Sequence, residues 1–200
     1  MNIFDNQKKD FKQYSTIAGV DEAGRGPLAG PLVVSAVILQ DTAYNDVLTD
    51  SKKLSEKKRL VLYDWVIANA VDFTIKIVSA KEIDRLNILQ ATLFGMKSCV
   101  ADLKVIPDLA LFDGNQMPLG LNIESKAVVK GDATYACIAA ASILAKVTRD
   151  RIMTELHKKY PVYDFLSHKG YPTKKHLEMI EKYGVSDEHR LSYAPCRKIK

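Results

Sequence analysis

Apolar residues in this chain recur with two spacings, one of strands and one of helices. Residues 31–39 hold an almost unbroken apolar run, Leu32, Val33, Val34, Ala36, Val37, Ile38 and Leu39, which predicts a central strand buried on both faces. A shorter run, Ile17-Ala18-Gly19-Val20, predicts a strand over 16–21 that ends in an acid. In 73–79, Phe73, Ile75 and Ile77 alternate with Thr74, Lys76 and Val78, the period of a strand. Residues 110–113 and 123–129 predict two further strands, the first ending in Asp-Gly. Residues 55–70 read as a helix with Leu60, Tyr63, Val66 and Ile67 on one side and Ser55 as its N-cap. Helices are also predicted over 88–103 and 173–183, the latter ending at Gly184. Between them, 132–160 reads as one long alanine-rich helix, closely packed and stopped by Pro161. The order of elements gives a mixed α/β sheet with helices on its faces. Residues 1–15 are expected to be poorly ordered, 16–160 to form the main domain, and 161–200 a basic helical extension.

Composition narrows the classes. Two hundred residues, 47% hydrophobic and 26% charged, fit one soluble domain with a small appendage. No apolar run reaches the length of a membrane span, and Met1-Asn2-Ile3-Phe4-Asp5 does not open a signal peptide, so neither a membrane nor secretion is expected. Cys99, Cys137 and Cys196 are odd in number and widely spaced, which fits a reducing cytoplasm. The net charge of +5 is uneven: residues 146–200 carry +6 and residues 1–145 carry −1, and all four histidines lie in the basic part. A solvated basic helix would give this pattern, and so would a nucleic-acid surface beside a near-neutral body.

Chemistry concentrates in Asp21-Glu22-Ala23-Gly24-Arg25-Gly26. Paired carboxylates at a strand end suit hard divalent cations, and an arginine between glycines suits a polyanion brought against bare backbone. Asp113 closes another strand and Asp132 opens the long helix. Strand ends at one edge of an α/β sheet are where ligands bind, and such acids brought together would require cations. Alone, Asp132 is an N-cap pattern and Asp113-Gly114-Asn115 a turn. Gly24-Arg25-Gly26-Pro27-Leu28-Ala29 also matches a loose dinucleotide fingerprint, which would make the chain a nicotinamide oxidoreductase, but that fingerprint must open a helix and a strand-like run follows here. Lys52 and Lys53 sit before a helix where they could hold phosphates. Tyr171, in His168-Lys169-Gly170-Tyr171-Pro172, could pack or stack on a sugar or base.

These segments resemble the ribonuclease HII family. The likeness starts at Asp21-Glu22-Ala23-Gly24-Arg25-Gly26-Pro27-Leu28-Ala29-Gly30-Pro31 and runs through Asp50-Ser51-Lys52-Lys53-Leu54, Asp113-Gly114-Asn115 and Lys130-Gly131-Asp132. It continues in Ile138-Ala139-Ala140-Ala141-Ser142-Ile143-Leu144-Ala145-Lys146-Val147-Thr148-Arg149-Asp150 and ends with Lys169-Gly170-Tyr171-Pro172-Thr173 and His176. The resemblance implies an RNase H-like fold and cleavage of RNA paired with DNA, including single ribonucleotides embedded in duplex DNA. It implies Asp21, Glu22, Asp113 and Asp132 as catalytic ligands of two Mg²⁺ or Mn²⁺ ions, with Asp21 bridging them. It places the reading of the ribose 2′-hydroxyl on Gly24, Arg25 and Gly26, and the sensing of an RNA–DNA junction on Tyr171. Lys52, Lys53, Asn115, Lys146 and Lys169 complete the expected substrate contacts, on a monomer. Cys137 stands where the family commonly has serine, and Asp164 where it commonly has glycine. A non-catalytic hybrid-binding module is the alternative, against which the four acids speak.

Overall fold

The computed structural model describes residues 2–198; Met1, Ile199 and Lys200, the last two ending the basic tail, lie outside the described residues. Five strands make one sheet: β1 (Ile17–Ala23), β2 (Leu32–Leu39), β3 (Ala70–Val78), β4 (Leu109–Asp113) and β5 (Glu124–Val128). Their spatial order is β3-β2-β1-β4-β5. The first three form an antiparallel meander, and β4 and β5 add in parallel on the other side of β1. The mixed α/β expectation holds.

Strand β2 shows why its run is apolar throughout. Leu32, Val34, Ala36 and Ile38 join the core under α4 (Ile88–Ala101), while Val37 joins the core on the opposite face under α2 (Glu56–Asn69) and α5 (Ala136–Lys159). Ser35 also faces α5, its hydroxyl donating to the Ala141 carbonyl at 2.6 Å. The alanines of α5 let that helix lie close on the sheet. At Gly19 of β1 the approach is tightest: a Cβ there would stand 2.1 Å from the carbonyl carbon of Cys137. Cys137 faces the sheet fully buried, so its thiol is a packing atom, and burial pushes it up to about 12.

Several elements differ from the sequence reading. Where the sequence reading expected poor order, a helix α1 (Ile3–Asp10) buries Ile3 and Phe4. Gln7 Oε1 accepts from the Cys137 N–H at 2.9 Å, and Tyr135 Oη donates to Asp10 at 3.0 Å. The helix was hidden because its apolar residues are few and its stability comes from tertiary contacts. A short helix α3 (Ala80–Leu86) precedes α4, its Ser79–Glu82 capping box intact, and Asn87 at φ 66° separates the two. In α2 the buried residues are Leu62 and Val66, whereas Leu60 and Ile67 are each 39% exposed, so the apolar stripe is rotated from its expected face. The long helix does not begin at Asp132. A 3₁₀ turn, Gly131–Ala133, comes first, and Tyr135 precedes α5 without a side-chain cap.

Beyond α5, the turn Pro161–Tyr163 leads to α6 (Phe165–His168), α7 (Lys174–Tyr183) and α8 (Ala194–Arg197). Asp164, between the turn and α6, adopts a left-handed conformation (φ 53°), the geometry for which glycine is the usual residue. Its carboxylate accepts from Ser167 Oγ at 2.8 Å and Lys175 Nζ at 2.6 Å, which compensates for the missing glycine. The extension folds back on the loop after β1: the Leu28 N–H donates to the Gly170 carbonyl at 2.8 Å, and Ala29 bridges to His189. No helix among the described residues is long and apolar enough to cross a membrane.

Since β1 and α5 approach at backbone distance, Gly19→Ala should destabilise the fold by about 3 kcal/mol or more, since neither backbone can yield without moving the core. Chemical denaturation would measure this, and a change under about 1 kcal/mol would show that helix and strand can separate freely.

Candidate active site

Strands β1 and β4 run parallel, with Val20 opposite Phe112, so Asp21 and Asp113, the next residue on each, stand side by side at the C-terminal end of β4, where β1 still pairs with β2. The turn Gly131–Ala133 brings Asp132 to the same place. One carboxylate oxygen from each of Asp21, Asp113 and Asp132 lies within 4.8 Å of the others. The cluster is held by short bonds. Asp113 Oδ1 accepts from the Gly131 N–H at 2.7 Å, tying the end of β4 to the turn that carries Asp132. Asp21 Oδ1 accepts from the Glu22 N–H at 2.7 Å. The nearby Ser142 hydroxyl, which meets Ser51 Oγ at 2.9 Å, eases the ionisation of Asp21.

Such a cluster is electrostatically costly. Burial, then Glu22, then Asp113 hold the Asp21 carboxyl well above the ordinary carboxylate range. Burial, then Asp113 and Asp50, raise Asp132. Lys52 Nζ stands 3.8 Å from Asp132. Burial lowers that ammonium, but Asp132, Asp21, Asp50 and Asp113 outweigh it and hold it above its usual value.

Glu22 is not part of the trio. It lines the cleft, 3.6 Å from Arg25 Nη1, and its Oε2 is buried without a hydrogen-bond partner among the described residues. Burial raises its carboxyl, Arg25 opposes this, and Asp113 adds to it. Neighbouring strand residues face opposite sides, which separates Glu22 from Asp21 by direction although they adjoin in sequence. Four hard oxygen donors, three convergent and one with an unsatisfied buried oxygen, fit a divalent cation of the Mg²⁺ or Mn²⁺ kind.

Gly24-Arg25-Gly26 leads into β2 and not into a helix, which removes the structural condition for the dinucleotide reading. Two buried arginines hold this loop through its carbonyls. Arg190 donates to the carbonyls of Gly24 at 2.7 Å, Arg25 at 3.1 Å and Gly30 at 2.9 Å. Arg149 donates to Pro31 at 3.0 Å and Ala29 at 3.3 Å, and also to Lys169 at 3.0 Å, so it joins the glycine loop to the turn before Tyr171. Burial first, then the like charge of Arg190, pushes Arg149 down to about 10, so it stays protonated at neutral pH. Gly24 must be glycine twice over: its φ is 105°, and a Cβ would stand 2.2 Å from Arg149 Nε. A Cβ on Gly26 would lie 3.4 Å from the Tyr171 ring, so ring and bare backbone face each other.

Glu22, Gly24, Arg25, Gly26, Lys52, Lys146, Arg149 and Tyr171 line one cleft of about 280 Å³. Asp113 and Asn115 line a second of about 200 Å³ on the other side of Arg25. Lys146 is engaged with Asp150 at 2.6 Å. Lys53 is exposed and lines neither cleft, and Lys169 contributes its carbonyl to Arg149. The sequence reading assigned no role to Ser51, Ser142, Arg149 or Arg190. Arg149 carried a signal: with Ala145 and Met153 it falls at helical spacing on the buried stripe of α5. Arg190 carried none, because its partners are backbone carbonyls some 160 residues away.

The sequence profile of the family described as Ribonuclease HII matches residues 18–196. The chain is 54% identical over 196 residues to "Ribonuclease HII" of Mycoplasma mycoides subsp. mycoides, covering 98% of this chain and 95% of that one. It is 55% identical over 185 residues to "Ribonuclease HII" of Vibrio campbellii, covering 92% and 87%. The crystal structure of the ribonuclease H2 from Pyrococcus horikoshii OT3 superposes with a TM-score of 0.78 at 30% identity, covering 92% and 96%.

Removing one charge from the cluster should relieve repulsion. In chelator at pH 7 to 8, Asp21→Asn should be more stable than the wild type by at least about 1 kcal/mol, the scale of one pKa unit. Because the folded-state pKa of Asp21 is raised, the wild type recovers stability as pH falls through it, and the difference should vanish near pH 4. Thermal unfolding across that range is the check; a variant less stable at neutral pH would contradict the repulsion.

Proposed function

The chain belongs to the ribonuclease HII family, and from that premise we propose that it cleaves the RNA strand of RNA/DNA hybrids and duplex DNA 5′ of single embedded ribonucleotides. Membership makes it a metal-dependent nuclease, which leaves no place for the nicotinamide reading or for a hybrid-binding module without activity. The observation that carries the proposal is the meeting of Asp21, Asp113 and Asp132 beside a glycine loop faced by Tyr171.

In this reading Asp21, Glu22, Asp113 and Asp132 hold two divalent ions, Mg²⁺ or Mn²⁺. When bound, these supply an activated water and neutralise charge on the leaving 3′-oxygen, giving 3′-hydroxyl and 5′-phosphate ends. The chain's own residues do the selecting. The 2′-hydroxyl alone marks a ribonucleotide in DNA. Gly24 and Gly26 let backbone groups reach it with no Cβ intervening, and the buried arginines hold those groups in place before substrate arrives. Arg25, half-exposed between the two clefts, is placed to bridge phosphates. Tyr171, 45% exposed, offers a ring to the sugar at the junction. Lys52, Lys53, Lys146, Lys169 and Asn115 grip the backbone without reading sequence. Residues 16–160 act as the catalytic body and 161–200 as the nucleic-acid extension, working as a monomer in a reducing cytoplasm.

A labelled duplex bearing one ribonucleotide, incubated with Mg²⁺, Mn²⁺ or chelator and mapped for product ends, tests the reaction. Asp21→Asn should lose cleavage by about 10³-fold or more while binding the duplex within a few-fold of wild type. Parallel loss of binding, with bound substrate still cut, would reject its catalytic role. Duplex affinity should fall steeply as salt rises, because phosphate contacts release counterions. A salt-independent affinity would remove the lysines from the interface.

A further inference from the structure

Three buried histidines stand beneath Tyr171, and backbone groups decide where each carries its proton. His176 Nδ1 lies 2.9 Å from the Tyr171 carbonyl oxygen, which can only accept, so the proton sits on Nδ1. His176 Nε2 is then the acceptor for His189 Nε2, 3.1 Å away. His189 therefore carries its proton on Nε2, and its Nδ1 accepts from the Ser186 N–H at 3.0 Å. His168 obeys the same logic: Nδ1 accepts from the Gly170 N–H at 3.2 Å and Nε2 donates to the Tyr163 carbonyl at 2.8 Å. The rings of His168 and His176 stack with centroids 4.4 Å apart, and Phe165 sets its edge to both.

An added proton on His168 or His176 would aim a ring N–H at a group that is itself a donor, while on His189 it would meet the Ser186 Oγ, 2.8 Å away, which can accept it. The rings are held neutral: burial pushes His176 and His189 down to about 4, and lowers His168 as well. Nothing in the proposed chemistry uses these rings. What they hold is the backbone on both sides of Tyr171, whose own ring is left open to substrate.

We infer that the directed line Ser186–His189–His176, ending on the Tyr171 carbonyl, is a positioning device that sets the Tyr171 ring against Gly26 and with it the preference for a lone ribonucleotide over a long hybrid. This deepens, and rests on, the reading of Tyr171 given above. His176 touches no substrate; it is a positioning residue. A long hybrid offers many registers in which a displaced ring can still serve, whereas a lone ribonucleotide offers one, so misplacement costs more there.

Two measurements test this on the full chain. Imidazole ¹⁵N spectra of histidine-labelled protein should show the Nδ1–H tautomer for His176 and the Nε2–H tautomer for His168 and His189. An Nε2–H tautomer at His176 overturns the inference, whatever any variant does. The second compares His176→Leu with His176→Asn, whose side-chain amide keeps a donor near the position of Nδ1. His176→Leu should lower kcat/KM on a single-ribonucleotide duplex about tenfold more than on a long hybrid, chiefly through kcat, the scale of one lost hydrogen bond. His176→Asn should restore most of that ratio. Tyr171→Ala is measured beside them. If it lowers the ratio and His176→Leu does not, the positioning line falls and the reading of Tyr171 stands. If Tyr171→Ala lowers both substrates equally, the reading of Tyr171 itself falls.

Discussion

Three carboxylates held within 4.8 Å of one another are the constraint on which the rest of this structure depends. At that spacing two full charges repel by about 3 kcal/mol for an effective dielectric near 20, and burial adds to the cost. A flexible chain would let them drift apart. Here each is anchored by a different part of the fold: Asp21 by β1 and the bond from the Glu22 N–H, Asp113 by β4, and Asp132 by a turn whose amide is bonded back to Asp113. The tight packing of α5 on β1 makes the first two anchors stiff, and α1 steadies the start of α5 through Gln7. The apolar core thus holds an arrangement that its own electrostatics oppose, which is the state a pair of divalent cations would relieve.

Beside this cluster a second device works by opposite means. The loop from Gly24 to Pro31 belongs to no ladder over most of its length, so its carbonyls need donors from elsewhere. Arg149 and Arg190 supply them from α5 and the C-terminal extension, with no carboxylate as partner among the described residues. A guanidinium suits this task because its forked donors reach several carbonyls at once, which an ammonium cannot do in fixed geometry. The consequence is a glycine-rich loop that is conformationally permissive by composition yet fixed by its surroundings. The histidines under Tyr171 continue the same principle, since they too meet backbone groups and not charges.

Local patterns in the sequence carried much of this. The apolar run of β2 announced a strand buried on both faces, and Ser55 announced a helix start that its hydroxyl does cap. The acids at strand ends marked Asp21 and Asp113 as candidates for one sheet edge, and the parallel pairing of β1 with β4 made them neighbours. What failed was whatever depends on partners distant in sequence. Helix α1 is held by α5 and not by its own periodicity. Residues 132–135 read as helix because alanine follows them, yet the bond from Gly131 to Asp113 favours a separate turn. On α2 the expected Val66 and Tyr63 do face the core, but Leu60 and Ile67 do not and Leu62 does, because all are apolar and only the sheet decides which side is covered.

By itself the sequence determined the order of the five strands and the longer helices, the residue types able to bind a hard cation, the glycines that expose backbone, and the excess positive charge of residues 146–200. All of these are written in local spacing and composition. Only the tertiary structure decided that Asp132 joins Asp21 and Asp113 while Glu22 stands aside, that Arg149 and Arg190 hold the loop, and that His189 and His176 stand in one hydrogen-bonded line ending on the Tyr171 carbonyl. Each of these depends on distances across the fold, and such distances are set by how the sheet and α5 pack together, not by any run of neighbouring residues.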